Sequence, residues 1–146
     1  DQFAEDLPAN RFVTAFLGLL DPIRHQVVYH APGQGPLMHY KAASDEFVWL
    51  DASTFPLGIM PDIPLDAPAP MVLQPGDIVG LLSDGIYEYA DPDGEQFGED
   101  GMADLVRAPC TATPNELIEA TRHAVAQHAR GAPQADDMTI VFIKRL

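Results

Sequence analysis

Short apolar runs rich in β-formers, each closed off by Pro, Gly or Asp, recur along this chain, and one long helical repeat late in the sequence breaks the pattern. Such punctuation specifies many short strands joined by tight turns. RFVTAFLGLLD (Arg11 to Asp21) reads as a strand buried on both faces. HQVVYHA (His25 to Ala31) follows the turn signal Asp21-Pro22, so the two read as a hairpin. APGQGPL (Ala31 to Leu37) is a Gly/Pro loop, and LMHYKA and EFVWLD are two further short strands. The segment from Ala52 to Pro70, with Pro56, Pro61, Pro64, Pro68 and Pro70, reads as a surface loop too short for a domain linker. QPGD (Gln74 to Asp77) is a tight turn before the strand IVGLLS; DPDGEQFG (Asp91 to Gly98) is a turn-rich loop, and EDGMADLVR is a short helix.

The long helix is placed at Thr113 to Arg130. Thr113 is an N-cap, Pro114 suits the first helical position, and Glu116 completes a Thr-x-x-Glu capping box. Leu117, Ala120, Thr121, Ala124, Val125 and His128 recur at helical spacing and give one apolar face. Gly131 and Pro133 end it. MTIVFIKRL is the last strand. Strands dominate and helices come late, so the class is α+β with mostly antiparallel sheet.

A chain of 146 residues fits one domain with a real core. Its 22 acidic and 8 basic residues give a net charge of −14. That argues against nucleic acid or an anionic membrane as partner and suits a protein that holds cations or meets a basic partner. A merely soluble acidic surface explains the charge equally well. The lone Cys110 cannot form an internal disulfide, so a reducing, cytoplasmic setting is expected. No apolar run approaches the ~20 residues of a membrane span, and no signal-peptide pattern is present. The chain begins at Asp1 rather than Met, and the expectation is a piece of something longer.

In LLSDGIYEYADPDGEQFG (Leu81 to Gly98), the apolar run stops at Asp84-Gly85. In QADDMTIVFI (Gln134 to Ile143), Asp136 and Asp137 stand directly before the last strand. In antiparallel neighbours the end of one strand lies beside the start of the next, so these carboxylates could meet at one rim of a sheet. Two like charges ~4 Å apart repel by ~1 kcal/mol in water and ~4 kcal/mol at a half-buried site. A hard divalent cation with a preference for oxygen ligands would reverse that cost. No His/Cys set has zinc-like spacing. Asp-Gly after a strand is also an ordinary turn, and Asp-Asp before a strand an ordinary cap, so the residues alone leave both readings open.

Five stretches, in order, resemble the metal-dependent protein phosphatase (PPM) family in its bacterial SpoIIE-type branch. RFVTAFLGLLD resembles its Phe-Val-Thr strand, VVYHAPGQGPLMHY its loop of tyrosine, small-Gly-His and Pro, and FPLGIMPD its Pro-Leu-Gly segment. LQPGDIVGLLSDGIYEYADPDGEQFG resembles its Pro-Gly-Asp, strand, Thr-Asp-Gly and Glu stretch, and ADDMTIVFIKR its closing Asp-Asp-x-Thr strand. The match runs from Arg11 to Arg145. It implies two antiparallel sheets packed face to face with helices outside, an antiparallel β-sandwich of which this chain is the C-terminal portion, truncated at its N-terminus. It implies a Mn²⁺ or Mg²⁺ pair held by aspartates at one sheet edge. A metal-activated water, with no protein nucleophile, would then attack a phosphoserine or phosphothreonine. Asp84 falls on the metal-binding Asp of the Asp-Gly motif, Gly85 lets the backbone turn close to the metal, and Asp136 falls on the first Asp of Asp-Asp-x-Thr. Asp137 is the further candidate ligand. Thr14 and Thr139 are read as structural, and Glu88 matches a common family position, with a solvated or cap role as the alternative.

Gln34 stands where many relatives have His, which removes any titrating role there. The family's upstream Gly-Gly-Asp and Asp-x-x-Gly-His-Gly stretches do not occur in these residues. The resemblance therefore implies an enzyme in the parent protein, with this segment alone inactive and able to pair its strand edges in a homodimer. The implied substrate is a phosphorylated protein such as an anti-sigma-factor antagonist, with an upstream sensor or receiver domain as regulator. The alternatives are a degenerate domain used as a binding adaptor, and an unrelated acidic β-rich binding domain. No phosphate-clamping Arg is evident; Arg11 and Arg107 are candidates by charge alone.

Overall fold

Asp21 closes the first hairpin. Its Oδ1 accepts from the backbone N–H groups of Ile23 and Arg24, and its Oδ2 takes the Arg24 guanidinium, each at 2.9 Å. These bonds, that of the Arg24 backbone first, hold the carboxyl below the usual carboxylate range. His25 takes a left-handed φ of 52°. Beyond it β1 (Leu17–Asp21) and β2 (Gln26–His30) pair antiparallel, from Asp21↔Gln26 to Leu17↔His30. The computed structural model describes residues 5–8, 11–63, 69–107 and 112–146. Cys110, Pro64 and Pro68 lie outside the described residues.

The hairpin is as expected, but its first strand differs. Of the run from Arg11 to Asp21 only β1 is strand; Val13 and Ala15 make isolated bridges to Leu57 and Gly33. Nor is β1 buried on both faces: Leu17, Leu19 and Leu20 are 60%, 74% and 49% exposed, and Thr14 is exposed as well. The sheet order is β1-β2-β5, with β5 at Met71–Val72, so β1 is an edge with one strand neighbour among the described residues. Apolar sequence states what a strand can bury; a second neighbour and a covering layer decide whether it does. The Pro-rich segment, expected as a plain surface loop, is stitched down on its first half. Gly33 N–H donates to Thr54 O at 2.9 Å, Ser53 N–H to Ala31 O at 3.0 Å, and Val13 and Leu57 exchange two backbone bonds at 2.8 and 2.9 Å.

The chain divides into two compact units, Asp1–Leu37 with Leu50–Leu73, and Met38–Trp49 with Gln74–Leu146. The three-stranded sheet belongs to the first. The second holds a four-stranded sheet of order β4-β3-β6-β7, from β3 (Leu37–Lys41), β4 (Glu46–Leu50), β6 (Ile78–Leu82) and β7 (Ile140–Lys144). Three helices accompany it: α1 (Asp84–Tyr87), α2 (Gly98–Arg107) and α3 (Pro114–Ala129). Met38, Ile78, Leu82, Met102, Val106 and Leu117 form the centre of its core, all fully buried. Two antiparallel sheets with helices give the α+β class expected. No helix among the described residues is long and apolar enough to cross a membrane.

Helix α3 begins as its sequence dictates. Thr113 Oγ1 accepts from Glu116 N–H at 3.3 Å, and Glu116 Oε2 accepts from Thr113 N–H at 2.7 Å. Leu117, Thr121, Val125 and Ala129 line its buried face, and Arg130 with φ 47° and Gly131 with φ 88° close it. Bonds from the Thr113 backbone, then from its hydroxyl, hold the Glu116 carboxyl below its ordinary value of 4.5. The folded value is depressed, so this contribution is present above the ordinary value and lost as pH falls through the lowered one. Thr113→Ala is expected to cost about 1 kcal/mol at neutral pH, with a difference from wild type that narrows in acid. Thermal denaturation at both pH values checks this; equal melting at neutral pH would contradict it.

Candidate active site

Strands β6 and β7 place their aspartates together. The register runs from Ile78↔Lys144 to Leu82↔Ile140, so the end of β6 lies beside the start of β7. One residue further, Ser83 N–H donates to Thr139 O at 2.9 Å. Asp84 is not in a simple turn: it is the first residue of the single-turn helix α1, with Ser83 as N-cap in extended conformation. The chain thus reverses at Ser83 and carries Asp84 and Glu88 along one side of a pocket. The loop before β7 supplies the other side. Asp84, Gly85, Glu88, Tyr89, Ala135 and Asp136 line this pocket of about 170 Å³. Asp137 faces a neighbouring hollow of about 260 Å³, which it shares with Gln134, Ala135 and Asp136.

The walls approach closely at Gly85. A Cβ built there would lie 2.4 Å from Asp137 O and 3.1 Å from Asp136 O. Gly85 is buried and helical, so the close approach of the two segments is what demands a glycine, rather than an unusual φ. Asp84 Oδ1 accepts from Gly85 N–H at 2.9 Å, and Asp136 Oδ1 accepts from Asp137 N–H at 2.7 Å. Gln134 Nε2 donates to Asp136 O at 2.8 Å.

Behind the pocket, three contacts hold residues 89–95 against 128–132, the turn that leads to Asp136. Tyr89 donates its hydroxyl to Ala132 O at 2.8 Å. His128 donates from Nε2 to Glu95 O at 2.8 Å. The Arg130 guanidinium binds Asp91 at 2.6 Å and also binds Asp93.

The pocket is negative. Burial pushes the Tyr87 phenol up, and the charges of Asp84, Glu88 and Glu99 push it further. Among the described residues no Lys, Arg or His forms an ion pair with Asp84, Glu88, Asp136 or Asp137. These carboxylates are hard oxygen donors of the type Mn²⁺ and Mg²⁺ take. No group of three or more His, Cys, Asp or Glu among the described residues is placed to hold a metal. The donor type is one that hard cations take, and among the described residues fewer than three such donors converge.

Other expected residues lie elsewhere. Arg107 Nε binds Asp45 at 3.0 Å, and its guanidinium carbon sits 4.9 Å from the Phe47 ring centroid. Arg11 and Gln34 belong to the first unit. Thr139 enters through its backbone, whereas Ser83 supplies the bridging hydroxyl. Sequence reasoning missed Ser83 and Tyr89. Ser83 could have been noticed as an N-cap type directly before Asp84; Tyr89 carried no signal.

The family model for Stage II sporulation protein E (SpoIIE) matches residues 1–146. Phosphoserine phosphatase RsbU of Bacillus subtilis is 23% identical over 141 residues, which cover 97% of this chain and 41% of RsbU. The SiaA-PP2C domain of Pseudomonas aeruginosa superposes with a TM-score of 0.74 at 25% identity, covering 90% of this chain and 51% of that one. The Mn-presoaked phosphatase domain of SpoIIE from Bacillus subtilis superposes with a TM-score of 0.67 at 21% identity, covering 90% and 56%. The fold is that of PP2C phosphatase domains, and the chain spans about half of the length of the domains it matches.

Proposed function

The chain belongs to the SpoIIE family, and from that premise we propose that it is the C-terminal portion of a metal-dependent protein serine/threonine phosphatase domain. The observation that carries this reading is the meeting of Asp84 and Asp136 in one pocket at the adjoining ends of β6 and β7. Coverage of about half of a PP2C domain and, among the described residues, a donor set short of three and exposed leucines on the edge strand β1 support the reading of this chain as a portion of such a domain.

Asp84 and Asp136 supply the ligands from this chain, with Asp137 beside them. A phosphoryl group entering among these carboxylates meets like charge, so a cation has to offset it. When bound, Mn²⁺ or Mg²⁺ supplies Lewis acidity, lowering the pKa of water and offsetting charge on the phosphoryl oxygens. The protein side holds the geometry: Gly85 allows the walls to touch, and the Tyr89–Ala132 bond anchors the turn that presents Asp136. Among the described residues the pocket lining contains no Ser, Thr, Cys or His, and the Tyr89 hydroxyl is committed to Ala132, so attack by water is the route this lining supports.

The substrate in this reading is a phosphoserine protein, by analogy with the phosphoserine phosphatase RsbU, and the family resemblance makes a regulator of the anti-sigma-factor antagonist type the expected one. Regulation comes from a sensor or receiver domain upstream. The test is phosphate release from a phosphoserine protein by the longer protein containing this chain, with and without Mn²⁺. Release is expected to require Mn²⁺ and to fall at least about 100-fold in Asp84→Asn, about 2.7 kcal/mol of transition-state stabilisation. Release equal to wild type in that variant refutes the role of Asp84. A wild-type protein that releases no phosphate but binds the phosphoprotein points instead to an adaptor.

A further inference from the structure

Ser83 occupies the N-cap of α1, yet its hydroxyl makes no cap bond to that helix. An N-cap serine ordinarily accepts from the second or third backbone N–H of its own helix. Here Ile86 N–H donates to the Ser83 carbonyl instead, at 3.1 Å. The hydroxyl crosses to the other wall of the pocket. It donates to Asp137 O at 2.9 Å and accepts from Thr139 N–H at 2.8 Å. With Ser83 N–H on Thr139 O, one residue makes three bonds to the segment that carries Asp136 and Asp137.

We propose that Ser83 is a positioning residue that sets the spacing between the Asp84 carboxylate and the Asp136 carboxylate, and thereby the cation affinity of the pocket. The inference rests on the metal reading above. Its physical basis is the continuity of the chain: Ser83 is bonded covalently to Asp84 and through its hydroxyl to Asp137, the neighbour of Asp136. The two walls already touch at Gly85, which blocks closer approach. Ser83 supplies the opposing restraint, against drifting apart. Removing its hydroxyl leaves the strand pairing of β6 and β7 intact but frees Asp137 O and Thr139 N–H from their shared partner. A partner hydrogen-bonded directly to a metal ligand is worth roughly 10- to 100-fold in metal affinity; Ser83 acts through the backbone beside Asp136, which places it at the lower end of that range.

The experiment compares Mn²⁺ dissociation constants, read from the EPR signal of free Mn²⁺, for the longer protein and its variants. Ser83→Ala is expected to weaken binding about tenfold or more. Ser83→Thr, which keeps the hydroxyl, stays within about twofold of wild type. Thr121→Val removes a buried hydroxyl bonded to Leu117 O inside α3; it controls for lost stability and leaves the constant unchanged. Binding lost in Asp84→Asn but kept within twofold in Ser83→Ala overturns this inference and leaves the metal reading standing. A wild-type protein that binds no Mn²⁺, or an Asp84→Asn variant that binds as wild type, overturns the metal reading and this inference with it. Equal weakening by Thr121→Val shows a loss of stability, and overturns the positioning role.

Discussion

Gly85→Ala is expected to destabilise the protein by about 1–3 kcal/mol, the usual range for a group forced into filled space. The sign is the informative part. Gly85 lies within a helical turn, and replacing a helical glycine by alanine ordinarily stabilises by about 0.5–1 kcal/mol. Here the added Cβ would stand 2.4 Å from Asp137 O, 3.0 Å from Asp137 C and 3.1 Å from Asp136 O. All three are backbone atoms, so no side-chain rotation relieves the contact. The walls must part, which moves Asp84 away from Asp136. Urea denaturation gives the sign directly, and a stabilised Gly85→Ala would show that the two segments do not touch. Under the proposed metal reading, Mn²⁺ binding should weaken in parallel, because one displacement causes both effects.

Asp77→Ala should cost about 2–4 kcal/mol. Asp77 is 2% exposed and its carboxylate has three partners, two from β3 and the residue after it and one from its own turn. Oδ1 accepts from Ala42 N–H at 3.0 Å, after β3, while Oδ2 accepts from Gln74 N–H at 2.8 Å and faces His39 Nε2 at 3.3 Å. Its backbone joins a further segment: Arg145 N–H, just past β7, donates to Asp77 O at 3.0 Å. Alanine leaves the Ala42 and Gln74 donors without acceptors at about 1–3 kcal/mol each, less what water recovers at the partly exposed ones. Asp77→Asn keeps one acceptor oxygen and should lose less. Asp104→Ala, at a side chain 85% exposed, should stay within about 0.5 kcal/mol. Urea midpoints for the three decide it; an Asp77→Ala midpoint matching that of Asp104→Ala would mean that the cradle contributes nothing.

Both positions show where sequence reasoning reaches and where it stops. QPGD reads as a turn from its own residues, and a turn it is; that its aspartate is a buried acceptor depends on Ala42 and His39, 35 and 38 positions away. The capping box of α3 was legible because every partner lies within three residues. The β1–β2 hairpin was legible because Asp21-Pro22 sets the reversal locally. The strand from Arg11 to Asp21 was misjudged because apolar composition cannot say whether a second strand or a covering layer is present. At the candidate site, the sequence by itself determined the carboxylates at two strand boundaries and the glycine beside one of them. Hydrophobic patterning and turn chemistry are local, and they fix where strands end. Only the tertiary structure decided that β6 and β7 are antiparallel neighbours in a register that opposes Leu82 to Ile140. That register depends on contacts across more than fifty residues, and it alone brings Asp84 and Asp136 to one pocket and the Ser83 hydroxyl to the backbone of Asp137 and Thr139.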